Sequence, residues 1–230
     1  MINFRYYSLS QVQEAKGVAV VIDVLRAFTT AAFAFDVGVN KIFPVAGVEE
    51  ALQLRNLIPG SLIMGEIDGI KPEGFDLGNS PADISCLDLS NKILIQRTTA
   101  GTQGVVRVVE ADKIFAASFV IAKVTANFIR KLHPSLVSFV ITGASQGRDG
   151  DEDLACAEYI EALVKNSKPD PWEYINRVKS SIVGQLFLEG NNSNFQLQDL
   201  IMSLHIDRFP YLIQVKRENK RLVMEKHVPG

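Results

Sequence analysis

The stretch VVIDVLRAFTTAAFAFDVGVNKIF, residues 20–43, decides the fold of this chain. A β-branched apolar run is followed by a turn with Asp23 and Arg26, then by a run rich in alanine and phenylalanine, then by a second apolar run. This order predicts a strand buried on both faces, a turn, a buried helix and a second strand. Strands that alternate with helices are typical of a mostly parallel α/β sheet.

A second stretch, ILIQRTTAGTQGVVRVVEADKIF at residues 93–115, repeats this order. Thr102 lies 72 residues after Thr30, and Phe115 lies 72 residues after Phe43, so both matches have one offset. The second turn carries Arg97 as the first carries Arg26. We therefore predict an internal duplication of a strand-turn-helix-strand-helix-strand unit, over residues 18–82 and 91–153, with one anion site built from both turns.

The rest of the chain completes a single compact unit over residues 1–230. The apolar periodicity predicts further helices at residues 48–57, 101–110, 120–132, 154–164 and 170–187, and a closing hairpin of residues 211–215 and 221–227. The C-terminal helices and the hairpin occupy residues 154–230. Ligands of such sheets bind beyond the carboxyl ends of the strands, so we expect both turns and the acidic loops to lie together there.

Composition excludes several classes of protein. Apolar residues make up 47% of the 230 residues, which is enough for a core, and the net charge of −2 does not favour a nucleic-acid partner. Two cysteines do not make a disulfide framework. The longest apolar stretch, residues 18–35, contains Asp23 and Arg26, so we do not expect a membrane span. The expected location is cytoplasmic.

The motif search narrows the chemistry. The sequence has no G-x-x-x-x-G-K-[ST] loop, no G-x-G-x-x-G fingerprint and no G-x-S-x-G elbow. The three histidines lie far from both turns, which argues against a zinc cluster. Carboxylates, arginines and hydroxyls remain, and this set suits a hard divalent cation and a phosphoryl oxyanion.

Four segments carry a family resemblance: DVLRAFTT (23–30), GEIDGIKPEGFDLGNSP (65–81), RTTAGT (97–102) and GRDGDEDLACAEYI (147–160). In this order they resemble the 2-phosphosulfolactate phosphatase family, over about residues 18–160. The resemblance implies a three-layer α/β/α fold with an internal duplication, a mostly parallel or mixed sheet, and magnesium-dependent phosphomonoester hydrolysis. Two positions depart from the family pattern, which has serine or threonine at Phe28 and often asparagine at Ala100.

The residues and the resemblance together define a candidate site. The predicted catalytic residues are Asp23, Arg26, Glu66 and Arg97. The predicted substrate-binding residues are Thr29, Thr30, Asn79, Ser80, Thr98, Thr99, Gly101 and Thr102. The predicted ligands of Mg²⁺ are Asp23, Glu66, Asp149, Glu152 and Asp153.

Each of these residues also has a structural interpretation. Asp23 could cap a helix, the two arginines could form ordinary ion pairs, and the threonines could cap the helix that follows them. Ser80 before Pro81 is a sound helix start. The acids of the last loop could form a solvated helix N-terminus.

We predict a magnesium-dependent phosphatase of a small anionic phosphomonoester, such as 2-phosphosulfolactate or a close analogue. The attacking group is left open between water and a carboxylate. One alternative is a non-catalytic binding protein for an anionic phosphorylated metabolite, and another is a transferase or isomerase of phosphorylated acids. The expected partner is the small substrate, and a homodimer is left open.

Overall fold

A computed structural model describes residues 2–144, 149–190 and 192–230. The strands are β1 (Asn3–Ser8), β2 (Lys16–Ile22), β3 (Lys41–Pro44), β4 (Leu62–Gly65), β5 (Ile93–Arg97), β6 (Glu110–Ala117), β7 (Leu136–Ile141), β8 (Leu212–Glu218) and β9 (Arg221–His227). The helices are α1 (Ala27–Asp36), α2 (Val48–Leu57), α3 (Pro81–Ser85), α4 (Gly101–Arg107), α5 (Ala122–Leu132), α6 (Asp151–Val164), α7 (Pro171–Ser180), α8 (Ile182–Glu189) and α9 (Leu197–Ser203). Within these residues, no helix is long and apolar enough to cross a membrane.

Nine strands of the described chain form one mixed sheet in the order β1-β7-β2-β6-β8-β9-β3-β5-β4. The first four strands of this order are parallel to one another, and so are the last three. The hairpin of β8 and β9 joins the two groups through three antiparallel pairings. The predicted α/β class with a mostly parallel sheet is confirmed.

The two predicted repeats are interlocked in this sheet. β2, the first strand of the first repeat, lies between β6 and β7 of the second repeat. β5, the first strand of the second repeat, lies between β3 and β4 of the first repeat. The order β7-β2-β6 on one side of the hairpin thus matches β4-β5-β3 on the other when the repeats are exchanged. This symmetry is what a duplication would produce, and the duplication stays a prediction.

The stretch that decides the fold forms the centre of the core. Ala19, Val20, Val21 and Ile22 of β2 are completely buried, as a strand covered on both faces requires. In α1 every residue from 27 to 35 is buried, which is the behaviour of a helix that is apolar on all sides.

Three local expectations need correction. The predicted helix 101–110 ends at Arg107, and Glu110 already begins β6. The predicted helix 170–187 is two helices, because the Ser181 hydroxyl accepts a hydrogen bond from Gly184 N and starts α8. The predicted closing hairpin does form, but it lies in the middle of the sheet, where its strands link the two parallel groups.

The strand directions also correct the expected placement of the site. The two parallel groups run in opposite directions, since an odd number of antiparallel pairings separates β6 from β3. The turns after β2 and β5 nevertheless meet: Gln96 Nε2 donates to Ala27 O at 3.0 Å, across the start of α1. The expectation that the two turns meet at one carboxyl edge of a parallel sheet is therefore wrong. They meet because α1 packs against α4.

Candidate active site

The two turns and the loop after β4 line one cavity of about 270 Å³. Its polar lining includes five residues singled out from the sequence: Asp23, Arg26, Glu66, Asn79 and Thr99. The other lining residues are Leu25, Asp68, Gly69, Ala100, Val183, Leu186 and Phe195. The last three belong to the C-terminal segment 182–203, so this segment gives the cavity an apolar wall.

Asp23 lies where β2 ends, caps a helix and lines the cavity. Its Oδ1 accepts a hydrogen bond from Ala27 N at 2.9 Å, which satisfies an N–H in the first turn of α1. Its Oδ2 accepts from Thr142 Oγ1 at 3.4 Å. The side chain is buried from bulk solvent and still lines the cavity. A capping function is therefore compatible with a ligand at the same carboxylate.

Arg26 is held inside the protein by an ion pair. Its Nη1 donates to Asp199 Oδ2 at 2.6 Å, and both side chains are buried. The guanidinium carbon lies 5.1 Å from the ring centre of Phe187 and 5.7 Å from that of Phe195. The ion-pair interpretation of Arg26 is thus realised, but the residue also lines the cavity.

Glu66 joins the loop after β4 to the second turn. Its Oε1 accepts from Thr99 N at 2.6 Å, and its Oε2 accepts from Thr99 Oγ1 at 2.9 Å and from Gly69 N at 2.6 Å. Three donors to one carboxylate order both the Thr99 turn and the start of the loop. Glu66 therefore brings the two repeats together at the cavity wall.

Arg97 lies beside this contact rather than among the cavity-lining residues. Its Nη1 donates to the backbone oxygen of Glu66 at 2.9 Å. Among the described residues, its buried Nε has no hydrogen-bond partner. Direct contact of Arg97 with a substrate stays a prediction, and the contact present in the structure supports the backbone of Glu66.

Thr29 and Thr30, near the start of α1, donate their hydroxyls to backbone oxygens. Thr29 Oγ1 donates to Val24 O at 2.8 Å, and Thr30 Oγ1 donates to Asn79 O at 3.2 Å. Both residues are completely buried. In this structure they hold the turn and the loop in place.

The threonines of the second turn divide between two tasks. Thr98 and Thr102 exchange hydrogen bonds, with Thr102 N donating to Thr98 Oγ1 at 3.0 Å and Thr98 N donating to Thr102 Oγ1 at 2.9 Å. This reciprocal pattern closes the start of α4. Thr99 is the threonine of this turn that lines the cavity.

Gly101 allows the two turns to approach each other. A Cβ atom at this position would lie 2.6 Å from Ala27 Cβ and 2.7 Å from Asp23 Oδ2. Neither distance is compatible with a side chain. The structure gives Gly101 this packing role where the two turns meet, and its predicted part in substrate binding stays a prediction.

Asn79 and Ser80 lie at the end of the loop that follows β4. Ser80 Oγ donates to Asp199 Oδ1 at 2.6 Å and accepts from Asp83 N at 3.1 Å, so it caps α3 as predicted. Asn79 is 6% exposed, and its Oδ1 has no hydrogen-bond partner in the part of the chain that the structure describes. A buried amide oxygen without a donor is costly, which makes Asn79 a candidate for ligand contact.

A second cavity of about 300 Å³ adjoins the first. The two cavities share Arg26, Gly69 and Asn79, and Lys71 lines the second one. The cleft therefore continues past Arg26 and Asn79 towards a further cationic side chain.

The predicted acids of the last loop lie outside the residues that line the first cavity. Asp153 Oδ1 accepts from Val24 N at 2.8 Å, and its Oδ2 accepts from Gly143 N at 2.7 Å. Burial raises the pKa of Asp153 well above its usual range, and the negative charges of Glu152 and Asp23 raise it further. Asp153 therefore supports the turn after β2 through its hydrogen bond with Val24 N, and it does not line the cavity.

Asp149 and Glu152 flank this contact. Asp149 is exposed, and its Oδ1 accepts from Asp151 N at 3.3 Å. Glu152 is buried with its Oε1 close to Gly143. Over the described residues, no group of three or more histidine, cysteine, aspartate or glutamate side chains is placed to hold a metal ion. The five-acid ligand set stays a prediction, while Asp23 and Glu66 share one cavity.

Glu66 and Asp153 make equivalent contacts in the two halves. Glu66 follows β4 and accepts from Thr99 N in the turn after the neighbouring strand β5. Asp153 lies beyond β7 and accepts from Val24 N in the turn after the neighbouring strand β2. Each turn of the site is therefore held by a carboxylate from the other repeat.

Comparison with known proteins decides the family. The 2-phosphosulpholactate phosphatase family matches residues 5–212, which is most of the chain. The chain belongs to this family. The predicted family is confirmed, and so is the predicted class of phosphomonoester hydrolase at the level of the family.

Relatives with the same description support the assignment. A probable 2-phosphosulfolactate phosphatase of Bacillus subtilis strain 168 is 32% identical over 210 residues, 91% of this chain and 91% of that protein. Those of Carboxydothermus hydrogenoformans and Caldicellulosiruptor saccharolyticus are 40% and 38% identical over 149 and 156 residues. These two matches cover 65% and 66% of this chain, and 61% and 64% of the relatives.

Sequence reasoning missed the C-terminal contribution to the site. The four resembling segments end at residue 160, whereas Asp199 and Phe195 come from the segment 182–203. The signal in the sequence is Asp199 itself, which directly precedes the apolar run Leu200-Ile201-Met202. An acid next to such a run is buried only when it has partners.

Proposed function

We propose that this protein is a magnesium-dependent phosphatase of a small, multiply anionic phosphomonoester, and that 2-phosphosulfolactate or a close analogue is the substrate. The names of the family and of its members support the hydrolase class. One observation carries the proposal: Asp23 and Arg26 of the first turn line the same cavity as Glu66 and Thr99.

The lining of the cavity fits a magnesium ion. Mg²⁺ is usually bound through one or two carboxylates together with substrate phosphate oxygens and waters, and Asp23 and Glu66 supply two carboxylates. They would hold the ion, and its charge would neutralise the phosphoryl oxygens. Asp153 is a weaker candidate, because it is not among the residues that line the cavity.

The chain's own residues would bind and orient the substrate. Arg26 offers a fixed guanidinium to an anionic group, and Thr99 and Asn79 offer polar groups beside it. The apolar wall of Val183 and Leu186 limits the water around the bound ester. The adjoining cavity with Lys71 has room for a second anionic group of the substrate.

The decisive experiment is a phosphate-release screen over phosphorylated carboxylic and sulfonic acids, with added Mg²⁺ and with excess EDTA. We expect release from at least one doubly anionic ester, and loss of release when the metal is removed. Full turnover in EDTA, with metal content verified as negligible, would contradict the magnesium requirement. Tight binding of a phosphorylated acid without release from any ester would favour the binding-protein alternative.

A further inference from the structure

Asp199 in α9 is completely buried and accepts three hydrogen bonds that divide between its two oxygens. Oδ2 accepts from Arg26 Nη1 at 2.6 Å. Oδ1 accepts from Ser80 Oγ at 2.6 Å and from Ala82 N at 3.1 Å. One carboxylate thus connects the first turn, the start of α3 and the C-terminal segment.

One carboxylate and two aromatic rings hold the guanidinium of Arg26. The rings of Phe187 and Phe195 lie beside its guanidinium carbon, at 5.1 and 5.7 Å. Nη1 is taken by Asp199, whereas the contact of Nη2 with Gly69 O is long, at 3.4 Å. Nη2 therefore has the weaker contact with the protein, and we expect a bound anion to meet the guanidinium at this end.

We infer that Asp199 is a positioning residue: it aims Arg26 at the anionic group of the substrate. The Arg26–Asp199 ion pair, together with Phe187 and Phe195, forms a clamp that fixes the position of the Arg26 charge in the cavity. This role rests on the proposed function, because it needs Arg26 to bind a substrate anion. The C-terminal segment 182–203 then takes part in the site through a residue that touches Arg26 and not the substrate.

The variant Asp199→Asn distinguishes the positioning of Arg26 from a purely structural role of Asp199. In Asp199→Asn, the remaining Oδ1 still accepts from Ser80 Oγ and Ala82 N, so the contact with α3 is kept. The new amide nitrogen is a donor and faces the Nη1 donor of Arg26, so the contact with Arg26 is lost. A matched control is Asp207→Asn, since the Asp207 carboxylate accepts from Lys123 N and Tyr159 OH and is not among the cavity-lining residues.

The first measurement tests the clamp without any substrate. Phenylglyoxal modifies accessible arginines, and peptide mass spectrometry reports the rate at Arg26. We expect faster modification of Arg26 in Asp199→Asn than in the wild-type protein, and an unchanged rate in Asp207→Asn. An unchanged rate in Asp199→Asn would overturn the clamp, whatever reaction the protein catalyses.

The second measurement tests the consequence for anion binding, with inorganic phosphate as the probe in equilibrium dialysis. Asp199→Asn should weaken phosphate binding by about tenfold to a hundredfold, the range of a lost charge-assisted contact. Arg26→Ala should weaken it as much, and the double variant should be no weaker than Arg26→Ala alone, because Asp199 acts through Arg26.

Three outcomes distinguish a failure of the inference about Asp199 from a failure of the proposed function. If the losses of the two single variants multiply in the double variant, Asp199 acts independently of Arg26 and the inference is wrong. Unchanged phosphate affinity in Asp199→Asn would also refute it. If the wild-type protein neither binds phosphate nor releases it from any ester, the proposed function fails, and the labelling experiment still decides whether Asp199 holds Arg26.

Discussion

Asp23 shows how one side chain can serve both the fold and the site. One carboxylate oxygen caps the first turn of α1 through Ala27 N, and the side chain lines the cavity. The negative charge of Asp23 contributes to the raised pKa of the neighbouring Asp153 carboxyl group. A cation bound at the Asp23 carboxylate would oppose this effect on the pKa of Asp153.

The change Asp23→Asn tests this division at the level of a residue. The asparagine Oδ1 keeps the hydrogen bond from Ala27 N, so we expect Tm to stay the same or rise as repulsion with Asp153 is removed. Affinity for Mg²⁺, measured by calorimetry, should fall by roughly tenfold to a hundredfold, and turnover should be lost.

Asp23→Ala is the control for the cap. It removes the hydrogen bond as well as the charge, so it should cost about 0.5–2 kcal/mol of unfolding free energy in addition. Normal metal affinity and turnover in Asp23→Asn would show that Asp23 is a cap and nothing more.

At the scale of elements, the site depends on how closely α1 and α4 approach at their first residues. Gly101 begins α4 directly against Ala27, the first residue of α1. Gln96 reinforces the contact with its hydrogen bond to Ala27 O. The spacing of these two helix starts determines the distance between the turns that face the cavity.

Gly101→Ala should separate the two turns. The added methyl group would lie within 3 Å of Ala27 Cβ and of Asp23 Oδ2. We expect a loss of about 1–3 kcal/mol in unfolding free energy, together with reduced phosphate affinity. Denaturant titration and equilibrium dialysis measure the two effects.

Gly78→Ala is the matched control for stability. A Cβ atom at Gly78 would meet no atom within 4 Å, so its unfolding free energy should change by less than about 0.5 kcal/mol. If Gly101→Ala were as stable as this control and bound phosphate normally, the close approach of the two helices would not govern the site.

At the scale of the whole molecule, residues of both predicted repeats line one cavity. β2 and β5 each pair with strands of the other predicted repeat, and the packing of α1 against α4 brings together the turns that follow them. The carboxylates of Glu66 and Asp153 then hold the turn of the opposite repeat.

We therefore expect one phosphate to bind per chain. Arg26→Ala changes the first turn and Thr99→Val changes the second, and each should weaken the same single binding event in equilibrium dialysis. Thr99→Val keeps the shape of the side chain while removing the hydroxyl that donates to Glu66. Two phosphates per chain, each sensitive to one variant, would contradict a shared site.

The local sequence determined the elements and most of the polar lining of the cavity. The buried run in β2 and the apolar residues of α1 follow from composition and period, because such a strand and helix are stable only when covered on both sides. The positions after strands, together with the family resemblance, predict Asp23, Arg26, Glu66, Asn79 and Thr99 as site residues, and all five line one cavity.

Only the tertiary structure decided how these groups are used. The pairing of strands from different repeats depends on contacts between residues far apart in the chain, and no local pattern encodes them. The ion pair of Arg26 with Asp199 joins residues 173 positions apart. The hydroxyls of Thr29 and Thr98 were chosen as ligands from the same local pattern as Thr99, yet burial turns them to the backbone. A side chain's partners are set by what folding places beside it, because a buried polar group must be satisfied by the nearest available donor or acceptor.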